Sequence, residues 1–191
     1  MPADNKKYMV IGATSEIGSG VAKGLKKLGL DVTALVRSEE KAKKFREQGC
    51  SVSIGDLSKP ATLETAFKGV DVAFILTPPT DLAPGLFSNA VWAAKQAKVK
   101  HVVRLSAIKA ANDAPTINGR FHALSDNELI ASGIKYTIIK AHFFMQNLFM
   151  AADSVKKEGK IYMPLADGKL GMIDSRDIVD FSVKVLSEKG Q

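Results

Sequence analysis

Thiol chemistry is almost absent from this sequence, whose single cysteine, Cys50, cannot close an intrachain disulfide. Three histidines are present, and they form no cluster with it, so no metal site is expected. Long apolar runs are missing too, since none approaches the roughly 18 residues of a membrane helix. Met1 to Lys7 is polar and basic and leads straight into a short apolar run, with neither an h-region nor a small-residue cleavage site. Together these absences predict a cytoplasmic protein that does not enter a membrane. Aromatic residues are sparse, at 7%, and do not interleave with the basic clusters as a nucleic-acid stacking platform requires. The formal charge of +7 therefore reads as solvated helix faces, such as Lys41 to Lys44 and Lys156 to Lys157, and no nucleic-acid partner is expected.

No linker, internal repeat or low-complexity segment divides the chain, so its 191 residues, 46% of them hydrophobic, are expected to build one domain over 1–191. Short β-rich runs recur at Lys6 to Ile11, Asp31 to Val36, Ser51 to Ile54, Asp71 to Leu76, His101 to Ser106 and Lys135 to Lys140. Helical stretches separate them: Ile17, Val21, Leu25 and Leu28 share one face, as do Ile178, Phe181 and Val185. Gly29 stands where a helix C-cap belongs, and Pro60 opens a helix with Ser58 as its cap. Ile108 to Asn118 reads as the longest loop. Strands alternating with helices predict an α/β fold, a Rossmann-type doubly wound parallel sheet with helices on both faces.

Directly after the first strand comes Gly12-Ala13-Thr14-Ser15-Glu16-Ile17-Gly18. A strand, a tight turn and a helix in this order aim free N–H groups and a positive dipole end at a pyrophosphate. Gly12 permits the turn, Gly18 allows close helix packing, and Thr14, Ser15 and the amides of Glu16 and Ile17 are the expected phosphate contacts, with the Glu16 carboxylate turned outward. NAD-specific proteins of this kind end the second strand in an acidic residue. Here the position reads Val36-Arg37-Ser38, so a guanidinium meets a 2′-phosphate and NADP(H) is the expected cofactor, with Lys41 assisting one turn later. Asp56 is expected to accept from the adenine amino group while Leu57 packs on the ring, and Thr77 and Pro78 to line the ribose path.

These segments, with Gly69-Val70-Asp71, His101-Val102-Val103-Arg104-Leu105-Ser106, Tyr136-Thr137-Ile138-Ile139-Lys140 and Phe143-Phe144-Met145-Gln146-Asn147-Leu148, resemble the NmrA-like branch of the atypical short-chain dehydrogenase/reductases in order and spacing. The resemblance implies a Rossmann fold with NADP(H). It also implies one of two functions: hydride transfer to a quinone, azo dye or other small conjugated substrate, or non-catalytic, redox-sensing dinucleotide binding. Three departures stand out: Ser15 replaces a usual glycine, Lys140-Ala141 replaces Arg-Pro, and the chain stops at Gln191, before the part that walls the substrate cleft in relatives. Where the better known short-chain dehydrogenases carry a helical Tyr-x-x-x-Lys pair, this chain has His122-Ala123-Leu124-Ser125-Asp126, which argues against alcohol dehydrogenation and epimerisation. His122, partnered by Asp126, is the expected proton donor. Ser106 is expected to face the nicotinamide from the end of the fifth strand. His142, Phe143 and Phe144 follow the sixth strand, where the backbone is expected to meet the carboxamide and the rings to cover the nicotinamide.

Overall fold

The computed structural model describes residues 5–165 and 167–188. The elements run β1 (Lys7–Ile11), α1 (Glu16–Lys27), β2 (Asp31–Val36), α2 (Glu39–Glu47), β3 (Ser51–Ile54), α3 (Ala61–Ala66), β4 (Val72–Ile75), α4 (Ala83–Gln96), β5 (His101–Ala107), α5 (Ile117–Ala131) and β6 (Lys135–Ala141). After β6 come β7 (Phe143–Phe144), a 3₁₀ helix (Met145–Ala151), α6 (Ala152–Glu158), β8 (Met172–Ile173) and α7 (Ser175–Ser187). The six main strands form one parallel sheet in the order β3-β2-β1-β4-β5-β6. This is the Rossmann order, whose direction of winding reverses between β1 and β4.

Alternation along each strand divides the core into two layers. Tyr8, Val10, Val32, Ala34, Phe74, Val103 and Leu105 face α1, α2 and α7, whereas Met9, Ile11, Ala73, Ile75 and Val102 face α3, α4 and α5. Burial on both faces explains the nearly continuous apolar runs. Of the helix-face expectations, Ile17, Val21, Leu25, Ile178 and Val185 are buried, but Leu28 and Phe181 are not, at 56% and 54% exposure. Leu28 lies past the last turn of α1, where the chain swings out to Gly29, whose φ of +76° completes the cap. Ser58 does not cap α3; its hydroxyl donates to Asp56 Oδ1 at 2.8 Å. The loop after β5 ends sooner than expected, because Thr116 caps α5 by accepting from the Gly119 amide at 3.1 Å.

A second, two-stranded parallel sheet pairs Phe143 with Met172 and Phe144 with Ile173. It leads into α7, which packs along α1. Cβ atoms placed on Gly20 and Gly24 would lie 2.7 and 2.6 Å from the side chains of Val179 and Val183, so these two glycines set how closely the helices approach.

Candidate dinucleotide site

A cleft of about 600 Å³ opens at the C-terminal ends of β1 to β4, across the winding reversal. Its floor is the turn after β1. Gly12 holds a φ of +79°, and a Cβ there would collide with the backbone carbonyl of Leu76. At Gly18 a Cβ would collide with the Gly12 carbonyl, so α1 springs directly from the turn. Ser15 caps α1: its Oγ accepts from the Gly18 amide at 3.0 Å and donates to the Gly12 carbonyl at 2.8 Å. The amides of Glu16 and Ile17, in the first turn of α1, have no helical carbonyl to donate to, and both residues line the cleft. Thr14 lies beside them. The Ser15 hydroxyl is thus spent on the cap.

Arg37 and Lys41 line the end of the cleft above β2, and Asp56, Leu57 and Ser58 line it above β3. Asp56 Oδ1 accepts from the Ser58 amide at 2.9 Å, a bond that, with the Ser58 hydroxyl, holds its carboxyl below the usual range despite opposing burial. The carboxylate is therefore ionised at neutral pH with its second oxygen free to accept. Asn89 of α4 donates to the Leu57 carbonyl at 2.7 Å and so fixes this loop. Thr77, Pro78 and Pro79 extend β4 along the cleft, and Leu76, Leu82 and Leu86 make that wall apolar.

Sequence reasoning missed the remaining wall. Gln146, Asn147 and Ser175 line it. Gln146 bridges distant segments, donating to Asp174 at 2.9 Å and accepting from the Ser175 amide at 2.9 Å. Ser175, at the start of α7, donates to the Glu16 carboxylate at 2.6 Å. The carboxylate is thereby held sideways by α7 instead of pointing freely into solvent. The only sequence signal for this wall was the Phe143 to Leu148 segment, and nothing in it announced the pairing with β8.

Among the residues expected at the nicotinamide end, several sit elsewhere. Phe143 and His142 do not line the cleft; Phe144 does, as neighbouring strand residues face opposite sides. The His142 ring lies over Gly171, where a Cβ would approach Nδ1 to 2.8 Å. Ser106 does not end β5, which continues to Ala107; it is 3% exposed and donates to Asp126 Oδ2 at 2.9 Å. Asp126 is not the partner of His122. It is taken by Arg104, whose Nε donates to Oδ1 at 2.7 Å, while His122 Nδ1 faces Arg104 Nη2 and Ser106 Oγ, each at 3.4 Å. The chain does contain one Tyr-x-x-x-Lys spacing, Tyr136 to Lys140, but it falls on β6. Four residues of strand span about 13 Å, so the two cannot act as the adjacent pair that a helix would make of them.

Burial, reinforced by Arg104 and opposed by Asp126, lowers the pKa of His122; burial with Lys135 and Lys6 does the same for His101. Both rings are thus favoured in the neutral form when folded, and the unfolded chain binds more protons at mildly acidic pH. Stability should be full above about pH 7 and fall as the pH drops through the ordinary histidine value near 6.5. Thermal denaturation from about pH 7 to about pH 5.5 should show that decline, and a double His101→Gln, His122→Gln variant should flatten it. An unchanged slope would mean that the two rings titrate alike in both states.

Among the described residues no group of three His, Cys, Asp or Glu side chains could hold a metal ion, and no helix is long and apolar enough to cross a membrane. A glycine turn that leads into a capped helix, set across a winding reversal and flanked by cations, is a dinucleotide-binding arrangement. The chain belongs to the NmrA-like family, whose model matches residues 4–191. It is 38% identical over 182 residues to an NAD(P)H azoreductase of Xenophilus azovorans, covering 95% of this chain and 64% of that one. It is 28% identical over 185 residues to quinone oxidoreductase 2 of Escherichia coli strain K12, again covering 95% and 64%. The crystal structure of an E. coli NADPH-dependent quinone oxidoreductase complexed with NADPH superposes with a TM-score of 0.89 at 26% identity, over 97% of this chain and 66% of that one. The chain therefore spans just under two thirds of the length of these relatives.

Proposed function

We propose that this chain binds NADPH and serves an oxidoreductase that passes hydride to a small conjugated acceptor such as a quinone or azo compound. The observation that carries the reading is Arg37. It reaches the cleft at the end of β2, where a carboxylate would mark NAD, and Lys41 stands beside it. The amides of Glu16 and Ile17 suit the pyrophosphate, the ionised Asp56 suits the adenine amino group, and Leu57 offers the ring an apolar surface. The similarity to an azoreductase and a quinone oxidoreductase supports the same reading.

When bound, the reduced nicotinamide supplies the hydride. The protein's part is to hold the dinucleotide across the sheet with the end opposite Arg37 lying towards β5 and β6, and to exclude water with the apolar wall of Leu76, Leu82, Leu86 and Phe144. His122, kept neutral and tied on its Nδ1 side, acts at most as a hydrogen-bond donor through Nε2 and is not the source of the proton that completes reduction.

Calorimetric titration with NADPH, NADP⁺ and NADH, followed by NADPH oxidation assays with a panel of quinones and azo dyes, tests this. Binding of the phosphorylated cofactor together with turnover of at least one acceptor is the expected result. Binding without turnover, with unequal affinity for the two redox forms, would replace catalysis by redox sensing. No binding at all would remove both.

A further inference from the structure

Between β5, β6 and α5 lies a charged cluster that cofactor binding does not use. Arg104 is 1% exposed, with its guanidinium 4.0 Å from the centre of the Phe87 ring and its Nη1 without a hydrogen-bond partner within the protein. Its one carboxylate partner, Asp126, is shared: Oδ1 takes Arg104 Nε at 2.7 Å, and Oδ2 takes Ser106 Oγ at 2.9 Å and faces Lys140 Nζ at 3.6 Å. Two cations therefore share one anion, and His122 adds no charge. A buried guanidinium and an orphan donor carry a desolvation cost that an additional negative charge nearby would offset.

The cluster adjoins the cleft. Arg104 is in register with Ile75, and Ser106 with Lys140, so the cluster begins about one strand spacing, about 5 Å, from the Leu76–Thr77 wall. A dinucleotide laid across the winding reversal with its 2′-phosphate at Arg37 directs its other end to this side. Arg104 is too buried to meet a substrate. The Lys140 side chain is 44% exposed, and its distance to Asp126 leaves its N–H groups free for another acceptor.

We propose that Lys140 is a catalytic residue that binds the acceptor oxygen on which negative charge develops, with Arg104, Asp126 and Ser106 positioning it. The inference rests on the reductase reading above. Hydride transfer breaks one C–H bond of the reduced nicotinamide and forms one bond to hydrogen on the acceptor. With a quinone as acceptor, the displaced π electron pair settles on the far carbonyl oxygen, giving a phenolate-like anion. The Lys140 ammonium donates a hydrogen bond to that oxygen and then its proton, completing the hydroquinone, and is reprotonated by water. The charge excess of the cluster favours the anion over the neutral carbonyl, which is the difference that accelerates reaction.

The test is a titration of the full chain, saturated with NADP⁺, with para-nitrophenol, whose phenolate is coloured and mimics the reduced oxygen without undergoing hydride transfer. The expected result is that the probe binds as phenolate, ionising at lower pH than when free. Lys140→Met should weaken that binding about tenfold or more, Lys140→Arg should largely retain it, and both should keep wild-type affinity for NADPH. Binding of the neutral phenol, no binding, or undiminished phenolate binding by Lys140→Met with an intact circular dichroism spectrum would each overturn the proposal. Failure of the wild-type chain to reduce any quinone would strike the reductase reading, a result separable from the probe titration.

Discussion

Replacing Arg37 with alanine should weaken NADPH binding about 10- to 100-fold while leaving NADH affinity nearly unchanged, because a charge-assisted bond of about 1.5–3 kcal/mol is removed from the 2′-phosphate alone. The side chain is exposed at the rim of the cleft, so its contribution is screened and the loss should shrink as salt is raised. Fold stability should hardly move, since Arg37 contributes nothing to either core layer. Calorimetry with both cofactors at two salt concentrations distinguishes these effects. Equal weakening of NADPH and NADH would mean that Arg37 acts on something other than the 2′-phosphate, and the assignment of NADP(H) would lose its main support.

Gly12→Ala should be strongly damaging. The new Cβ meets the backbone carbonyl of Leu76, which belongs to the chain leaving β4 and has no rotamer to escape into, and the φ of +79° is strained for any L side chain. A cost of about 2–4 kcal/mol is expected, lowering Tm by roughly 5–15 °C for a domain of this size. The surviving folded fraction should bind NADPH poorly, because the collision pushes the turn carrying the Glu16 and Ile17 amides away from β4. A thermal melt and a titration of the same sample check both halves. A variant as stable as wild type would show that the turn relaxes more freely than its packing indicates.

How much of this was legible in the sequence depends on the range of the interaction involved. The six main strands announced themselves because a sheet buried on both faces needs apolar residues at nearly every position, as in Val72 to Ile75. The phosphate turn and Arg37 were readable for a similar reason: each is local, carried by a few consecutive residues at the end of a strand. Arg104 was not. In sequence it is a charged residue in an otherwise ordinary strand, and its burial follows from Asp126, 22 residues later, and Phe87 on another helix. The same limit hid Gln146 and Ser175, which meet through a two-stranded sheet joining segments almost 30 residues apart. That Phe144 and not Phe143 lines the cleft is a matter of strand parity, which two adjacent phenylalanines do not reveal in sequence. His122 was assigned the partner one helical turn away, and that carboxylate was already claimed by a buried guanidinium.

The seam between α1 and α7 bears on the order in which the chain acquires its shape. Glu16 and Ser175 are 159 residues apart, yet they are joined by a hydrogen bond at the mouth of the cleft. Contacts of such separation are entropically expensive to form early, so β1, α1 and β2 can assemble as a local unit well before α7 docks. Until then a ribosome-bound chain exposes the glycine face of α1, with Gly20 and Gly24 awaiting Val179 and Val183. Completion of the cofactor mouth is thus a late event in biogenesis, tied to the emergence of the last described helix, and a dinucleotide that touches both helices would act as a ligand that draws folding to completion.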